Sequence, residues 1–530
     1  MPKGQPQAAV ARRNAFTRFL DTVEWLGNLL PHPVTLFAIL ALGIVFLSGF
    51  FGWIGLAVED PRPAGARGVA EDGMIRAVSL MNGDGVRRIF TNLVTNFTNF
   101  APLGVVLVAM LGVGVAERSG LLSAAVRAMV LSAPRHVVTV AIVFAGIVSN
   151  TASEVGYVVL IPLAGAIFYA LGRHPLAGMA AAFAGVSGGY SANLLIGTID
   201  PLLAGITQEA ARLLDPDYIV LATANWYFMV ASTFLITTVG SLVTIFIVEP
   251  KLGQYDSSHA DPTILDKRMM ETLTGEEKKG LLWAGIAVLG VFAFMAFTLL
   301  PEWGVLRNPE TGDRINSPFF RGFVVWILIF FVVTGYAYGR AVGTMKTDRD
   351  IIDAMAAALA SLGLYIVLVF FAAQFVAFFG WTNLGAISAV TGAQFLQDTG
   401  MTGPSVFFFF ILMCAVINLS LGSASAQWAV TAPIFVPMLM LIGYAPEAIQ
   451  AAYRIGDSST NIVTPMMSYF GLILAWATRY DKNLGVGTLI AMMLPYTIFF
   501  LLTWSLFFVL WTFGLDLPVG PGSPTYYTVQ

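Results

Sequence analysis

The chain has 530 residues, of which 57% are hydrophobic and only 11% charged, with a formal net charge of -3. A soluble domain carries about 25% charge, so a soluble fold of this length, a disordered chain, a collagen and a nucleic-acid binder are all excluded. The single cysteine, Cys414, lies in an apolar run and cannot form an intrachain disulfide. About 20 apolar residues span a bilayer, and the long apolar runs predict one large polytopic membrane domain.

Residues 1–32 carry Lys3, Arg12, Arg13 and Arg18. The first apolar stretch, from Pro33 to about Leu56, is too long for a signal peptide and lacks a small-residue cleavage site. It reads as a permanent span. Further spans are predicted near 97–116, 176–199, 226–248, 281–300, 321–340, 354–380, 447–476 and 488–513. Segments 137–171 and 405–443 are apolar but interrupted, by Ser149-Asn150-Thr151-Ala152-Ser153-Glu154 and by Leu421-Gly422-Ser423-Ala424-Ser425. Two short arms around a small polar tip predict a re-entrant hairpin in each. The fold class is therefore an all-α polytopic membrane protein, with about nine transmembrane helices and two re-entrant hairpins. The membrane domain covers 33–513, and the tail 514–530 is not expected to touch the site.

Lys and Arg favour cytoplasmic loops. The basic residues of 117–135, 250–280, 340–350 and 479–482 all fall inside if the N-terminus starts inside and both hairpins return to their own side. The C-terminus then lies outside. Loops 57–92 and 301–320 also hold arginines, and in the first these are matched by acids.

The layout repeats. Helix 97–116, hairpin 137–171, span 176–199 and helix 226–248 form one unit; 354–380, 405–443, 447–476 and 488–513 form the second, with opposite orientation. Both spans that follow the hairpins are broken, at Gly185-Val186-Ser187-Gly188-Gly189 and at Gly456-Asp457-Ser458-Ser459-Thr460-Asn461. Breaks at matching places in an inverted repeat point to a midplane transport site. Freed amides there attract anions, and freed carbonyls with Ser, Thr and Asn oxygens suit Na⁺. Asn150, Asn418 and Asn461 are candidates for that cation chemistry, or for capping broken backbone.

Ionisable groups within spans are costly and usually functional. Glu154, Asp200, Arg454 and Asp457 stand out. Arg454 and Asp457 share a helix face: either they form a private salt bridge, or Arg454 forks to a substrate carboxylate while Asp457 takes the coupling cation or proton. Asp200 marks either a site or an interfacial turn, and Glu154 a structural or gating place. Trp428, three residues past Ser425, could stack an aryl ring or simply pack. No GxxxxGK[ST] motif is present, so ATP is not the expected energy source.

These motifs resemble the p-aminobenzoyl-glutamate transporter (AbgT) family. Ser149–Glu154, Gly197-Thr198-Ile199-Asp200-Pro201, Ser423-Ala424-Ser425-Ala426-Gln427-Trp428 and Tyr453-Arg454-Ile455-Gly456-Asp457-Ser458-Ser459-Thr460-Asn461 carry the resemblance over nearly the whole chain. The resemblance implies a homodimer in a bacterial inner membrane, related to divalent-anion/Na⁺ symporters. It implies secondary transport of p-aminobenzoyl-glutamate or of sulfonamide antimetabolites, driven by H⁺ or Na⁺. It also implies substrate or transport roles for Asp200, Ser425, Trp428, Pro446, Arg454 and Asp457, and a Na⁺ near Asn418 and Asp457. Two other readings compete. One is a Na⁺-coupled dicarboxylate symporter of the same superfamily. The other is an intramembrane hydrolase using Ser425 or Ser153, for which no nearby histidine supplies a base.

Overall fold

The computed structural model describes residues 31–63, 69–151, 155–256 and 272–528. The basic N-terminal segment, the first-tip residues Ser153 and Glu154, and Lys267 and Arg268 lie outside the described residues.

The chain opens with α1 (Pro33–Trp53), a short antiparallel pair β1 (Ala57–Glu59) and β2 (Met74–Arg76), α2 (Gly83–Thr98), α3 (Ala101–Ser119) and α4 (Leu121–Leu131). The first hairpin is α5 (Val138–Ser149) and α6 (Gly156–Ala170), followed by α7 (Pro175–Gly188), α8 (Ile199–Ala211) and α9 (Trp226–Leu252). Two helices, α10 (Gly275–Leu299) and α11 (Phe323–Val342), separate the halves. The second half holds α12 (Asp348–Ser361), α13 (Gly363–Trp381), α14 (Leu384–Asp398), α15 (Ser405–Leu421) and α16 (Ala424–Leu441). It ends with α17 (Pro446–Asn461), α18 (Phe470–Ala477) and α19 (Val486–Gly514). Among the described residues, eight helical stretches are long and apolar enough to cross a membrane.

Local chemistry sets these boundaries. Proline opens α1, α7 and α17, where its missing N–H costs nothing. Thr274 and Glu277 cap each other's amides at the start of α10. Gly120 and Gly343 close α3 and α11 in the left-handed conformation that glycine adopts freely. The arginines of the 301–320 loop have a structural use: Arg307 and Arg314 donate to the carbonyls of Leu299 and Leu300, at the C-terminus of α10. In the 57–92 loop, Arg62, Arg76 and Arg87 pair with Asp60, Asp72 and Asp84.

The expected spans are refined in four places. The predicted helix 97–116 is the α2–α3 pair, joined at Asn99–Phe100. Span 354–380 divides at Leu362 into α12 and α13. The basic loop 117–135 and the loop 381–404 contain α4 and α14, which are too short to span but bury apolar faces. The tail is not separate: Val519 accepts from the Phe228 amide, Thr525 from Ala445, and Tyr527 donates to the Gly443 carbonyl. The tail thus covers the turn just before Pro446.

The polar helix α17 is enclosed on every side; each of its sixteen residues is buried. Glycine allows this at the hairpin arms. A Cβ on Gly185 would strike the Val143 carbonyl of α5, and one on Gly456 would lie 2.5 Å from the Ile411 carbonyl of α15. Gly456→Ala should therefore cost about 1–3 kcal/mol through overpacking. Gly471→Ala in α18, with open space around it, should be neutral. Thermal unfolding of the two purified variants in detergent checks this; equal midpoints would refute the close approach.

Candidate substrate and ion site

The two halves repeat one contact. Asn418, near the end of α15, donates to the carbonyl of Asp457 at 2.8 Å. Asn150, at the end of α5, donates to the carbonyl of Val186 at 2.9 Å. Val186 lies in the π-helical stretch Ala184–Gly188. Each asparagine thus donates to backbone of the helix that follows its hairpin; α7 ends just beyond Val186, at Gly188, whereas α17 runs unbroken through Asp457 to Asn461, so the break expected at 456–461 lies after Asn461 instead. Asn418 also donates to Asn461 Oδ1 at 2.8 Å and to Thr460 Oγ1 at 3.1 Å. Thr151 donates to Asn193 Oδ1 at 2.9 Å in the first half. The correspondence fails at one point: where the second half has Asp457, the first has Val186.

Around Asp457, several oxygens remain unsatisfied. Both carboxylate oxygens of Asp457, Oδ1 of Asn418, Oε1 of Gln427 and the hydroxyls of Ser458 and Ser459 are buried and lack a hydrogen-bond partner among the described residues. Native proteins leave few such groups, and each calls for an explanation. The charged member of this set is the Asp457 carboxylate, and a buried carboxylate without a partner suits a cation or a proton.

Arg454 does not pair with Asp457, contrary to the private salt bridge that their spacing allowed. Its guanidinium reaches across to Asp200 in the first turn of α8, and both side chains are buried. Asp200 also accepts the Gly197 amide at 2.7 Å. Sequence spacing within one helix could not reveal a partner brought in by another. Nε of Arg454 has no partner among the described residues.

Trp428 is fully buried and stacks on Tyr453 with centroids 4.3 Å apart. Its indole donates to Thr207 at 2.8 Å, and the Tyr453 hydroxyl donates to the Ala424 carbonyl at 2.5 Å. Thr207 donates to Gln450, and Gln450 to Asn225. This polar seam between the halves was not visible in the sequence. Pro446, the first residue of α17, lies about 22 Å along the helix from Asn461, at 1.5 Å per residue.

A cavity of about 430 Å³ lies between the hairpin tips. Asn150, Ser423, Ser425 and Asn461 line it, together with Thr198 and Ile199 at the start of α8. The N-termini of α8 and α16 thus meet at one cavity wall. Four tyrosines complete the wall: Tyr157, Tyr190, Tyr365 and Tyr469. Asp200, Trp428, Pro446, Arg454, Asp457 and Asn418 are not on it. One signal for Tyr157 existed in the sequence: it stands five residues before Pro162, as Trp428 stands five before Pro433.

A family model described as "AbgT putative transporter family" matches residues 18–527. The chain belongs to the AbgT transporter family. It is 36% identical to the p-aminobenzoyl-glutamate transport protein of Escherichia coli (strain K12), over 94% of this chain and 95% of that one. Two solved structures share its fold. The structure of Neisseria gonorrhoeae MtrF, described as illuminating a class of antimetabolite efflux pumps, is 58% identical, with a TM-score of 0.90 over 96% of this chain and all of that one. The Alcanivorax borkumensis YdaH transporter, described as having an unusual topology, is 44% identical, with a TM-score of 0.85 over 93% of this chain and all of that one. This AbgT protein is accordingly a multi-pass membrane transporter.

In this transporter the Arg454–Asp200 pair should behave as a buried ion pair. Asp200→Asn leaves the guanidinium uncompensated and should cost about 3–5 kcal/mol, whereas Asp200→Leu with Arg454→Met should recover much of that stability while losing transport. Detergent thermal unfolding of the single and double variants checks the sign. A single variant as stable as the wild type would show the pair to be dispensable.

Proposed function

We propose that the cargo of this transporter is p-aminobenzoyl-glutamate, a sulfonamide-type antimetabolite, or both, moved by coupling to an H⁺ or Na⁺ gradient. The observation that carries this reading is the cavity wall, where two helix N-termini meet beside four tyrosines. Helix N-termini favour carboxylates, and tyrosine faces favour aryl rings. The p-aminobenzoyl-glutamate transport protein of Escherichia coli and the antimetabolite efflux class of Neisseria gonorrhoeae MtrF support the same cargo. The tyrosines count against a plain dicarboxylate. Ser425 would contact substrate directly. Trp428 and Pro446 would act by positioning the second hairpin tip and α17. Arg454, paired with Asp200, would be released toward a carboxylate only if that pair opens.

Asp457 and Asn418 would hold the coupling ion; Asn150 and Asn461 would shape the backbone around it. A bound cation would neutralise the carboxylate. Substrate and ion would then strengthen each other's binding, as linkage requires. The same reading places the protein in an inner membrane as a homodimer, with two re-entrant hairpins in an inverted repeat, a cytoplasmic N-terminus and a periplasmic C-terminus.

Counterflow in sealed proteoliposomes tests the proposal, with pH and Na⁺ gradients imposed separately. The wild type should accumulate labelled p-aminobenzoyl-glutamate or a sulfonamide under one of the gradients and ignore labelled succinate. Asp457→Asn should abolish gradient-driven accumulation while leaving exchange measurable. Accumulation at the wild-type level by that variant would remove Asp457 from coupling.

A further inference from the structure

A groove of about 530 Å³ opens at the surface between α10, α11 and α12, and no residue of either hairpin lines it. Val333, Ala337 and Ala341 form its floor, recurring every fourth residue along one ridge of α11. Trp283 of α10 and Ile351 of α12 form its sides. The floor is about 12 Å long at 1.5 Å per residue, close to the depth of one leaflet, about half of the ~30 Å hydrocarbon core. Small side chains along the floor keep it open over that length.

One end of the groove is charged. Arg340 lines it from the last turn of α11 and is exposed, with no ion pair among the described residues. The start of α10 lies beside it: a Cβ on Gly280 would meet Val342 at 2.6 Å. Lys278 and Lys279 of α10 and Lys346 of the next loop also make no ion pair among the described residues. Most acids on the three helices are taken. Glu277 pairs with Arg127, Asp353 with Arg349, and Asp350 accepts the amides of Lys346 and Thr347. Glu276 and Asp348 remain against those four cations, so this end carries excess positive charge. Tyr336, one turn before Arg340, and Trp283 are both exposed on the groove. Such amphipathic rings mark the polar edge of a bilayer.

We propose that this groove binds one anionic glycerophospholipid, with an acyl chain along Val333, Ala337 and Ala341 and the phosphodiester at Arg340. A planar guanidinium can fork to two phosphate oxygens, and its stem can lie along the apolar wall while its head reaches the polar edge. Basic pockets between membrane helices recognise lipid headgroups in this way. A second copy of the chain fits less well. A two-fold contact sets the same patch on both sides, and would bury the unpaired cations of both copies without an acid to meet them. The bound lipid bridges the α10–α11 pair and α12, the first helix of the second half. The site is separate from the cargo cavity and does not depend on the cargo reading.

The test is native mass spectrometry of the full-length protein, stripped of lipid in detergent and titrated with dioleoyl phosphatidylglycerol or dioleoyl phosphatidylethanolamine. The first lipid bound to the wild type should favour phosphatidylglycerol by about fivefold, the ratio that one basic residue at an anionic headgroup supplies. Arg340→Gln should bring the two lipids level. Ala337→Leu, which fills the floor, should weaken both. Arg135→Gln removes an exposed arginine that does not line the groove and should keep the wild-type ratio. Each ratio is read within one variant, so a lower yield of folded protein does not disturb it. An unchanged preference in Arg340→Gln would overturn the site. An equal loss in Arg135→Gln would reduce the binding to diffuse surface charge and overturn it too. A dimer mass that falls to a monomer in Ala337→Leu, with lipid binding unchanged, would assign the groove to a second copy instead.

Discussion

A side-chain amide buried in an apolar protein must find an acceptor. In this chain, Asn418 donates to the Asp457 carbonyl within α17, and Asn150 donates to the Val186 carbonyl near the end of α7. Much else follows from that requirement. Each hairpin arm that carries an asparagine must lie close against the broken helix of its own half, and Gly185 and Gly456 permit the approach. With the arms so placed, the tips converge on a single cavity. The second tip turns at Gly422, in the left-handed conformation, where a Cβ would press on the backbone of Met466 at 3.0 Å. The breaks and the tips are thus one packing unit in each half.

The halves differ in how that unit is used. The first has an apolar Val186 where the second has Asp457, and its oxygens are largely satisfied. The second has buried, unpartnered oxygens on Asp457, Ser458, Ser459, Gln427 and Asn418.

Contacts between the halves fall into two kinds. Away from the cavity they are strong and enclosed. Arg454 meets Asp200, and Trp428, Thr207, Gln450 and Asn225 form a continuous polar chain. Low-dielectric surroundings strengthen such bonds and make any unmet partner costly. At the cavity the contacts include the stack of Tyr157 on Tyr469, with the Met467 sulfur as an acceptor beside it, and the hydrogen bond from Tyr365 to the Pro102 carbonyl. The C-terminal segment adds a further tie, covering the turn between α16 and α17.

Composition and apolar run length determined the fold class, because a bilayer demands helices of a set length and almost no charge. The small polar tips and the break near Gly185 were also legible, but the second break was misplaced: Gly456-Asp457-Ser458-Ser459-Thr460-Asn461 continues as helix, because its polar side chains are met by neighbouring helices, and the chain breaks only after Asn461. Asn150, Asn418, Asp200, Arg454 and Asp457 were singled out because polar groups at membrane depth are expensive. Which groups meet was decided only by tertiary structure. Spacing along α17 suggested Arg454 with Asp457, yet Arg454 pairs with Asp200 from a helix 254 residues away in sequence. Composition left Trp428 open between stacking an aryl ring and packing; in the structure it packs on Tyr453, while Tyr157 and Tyr469 line the cavity. Periodicity reports which face of one helix is apolar or polar. It carries no information about which second helix arrives at that face, and it is that arrival which turns a buried side chain into an ion pair, a seam or a wall.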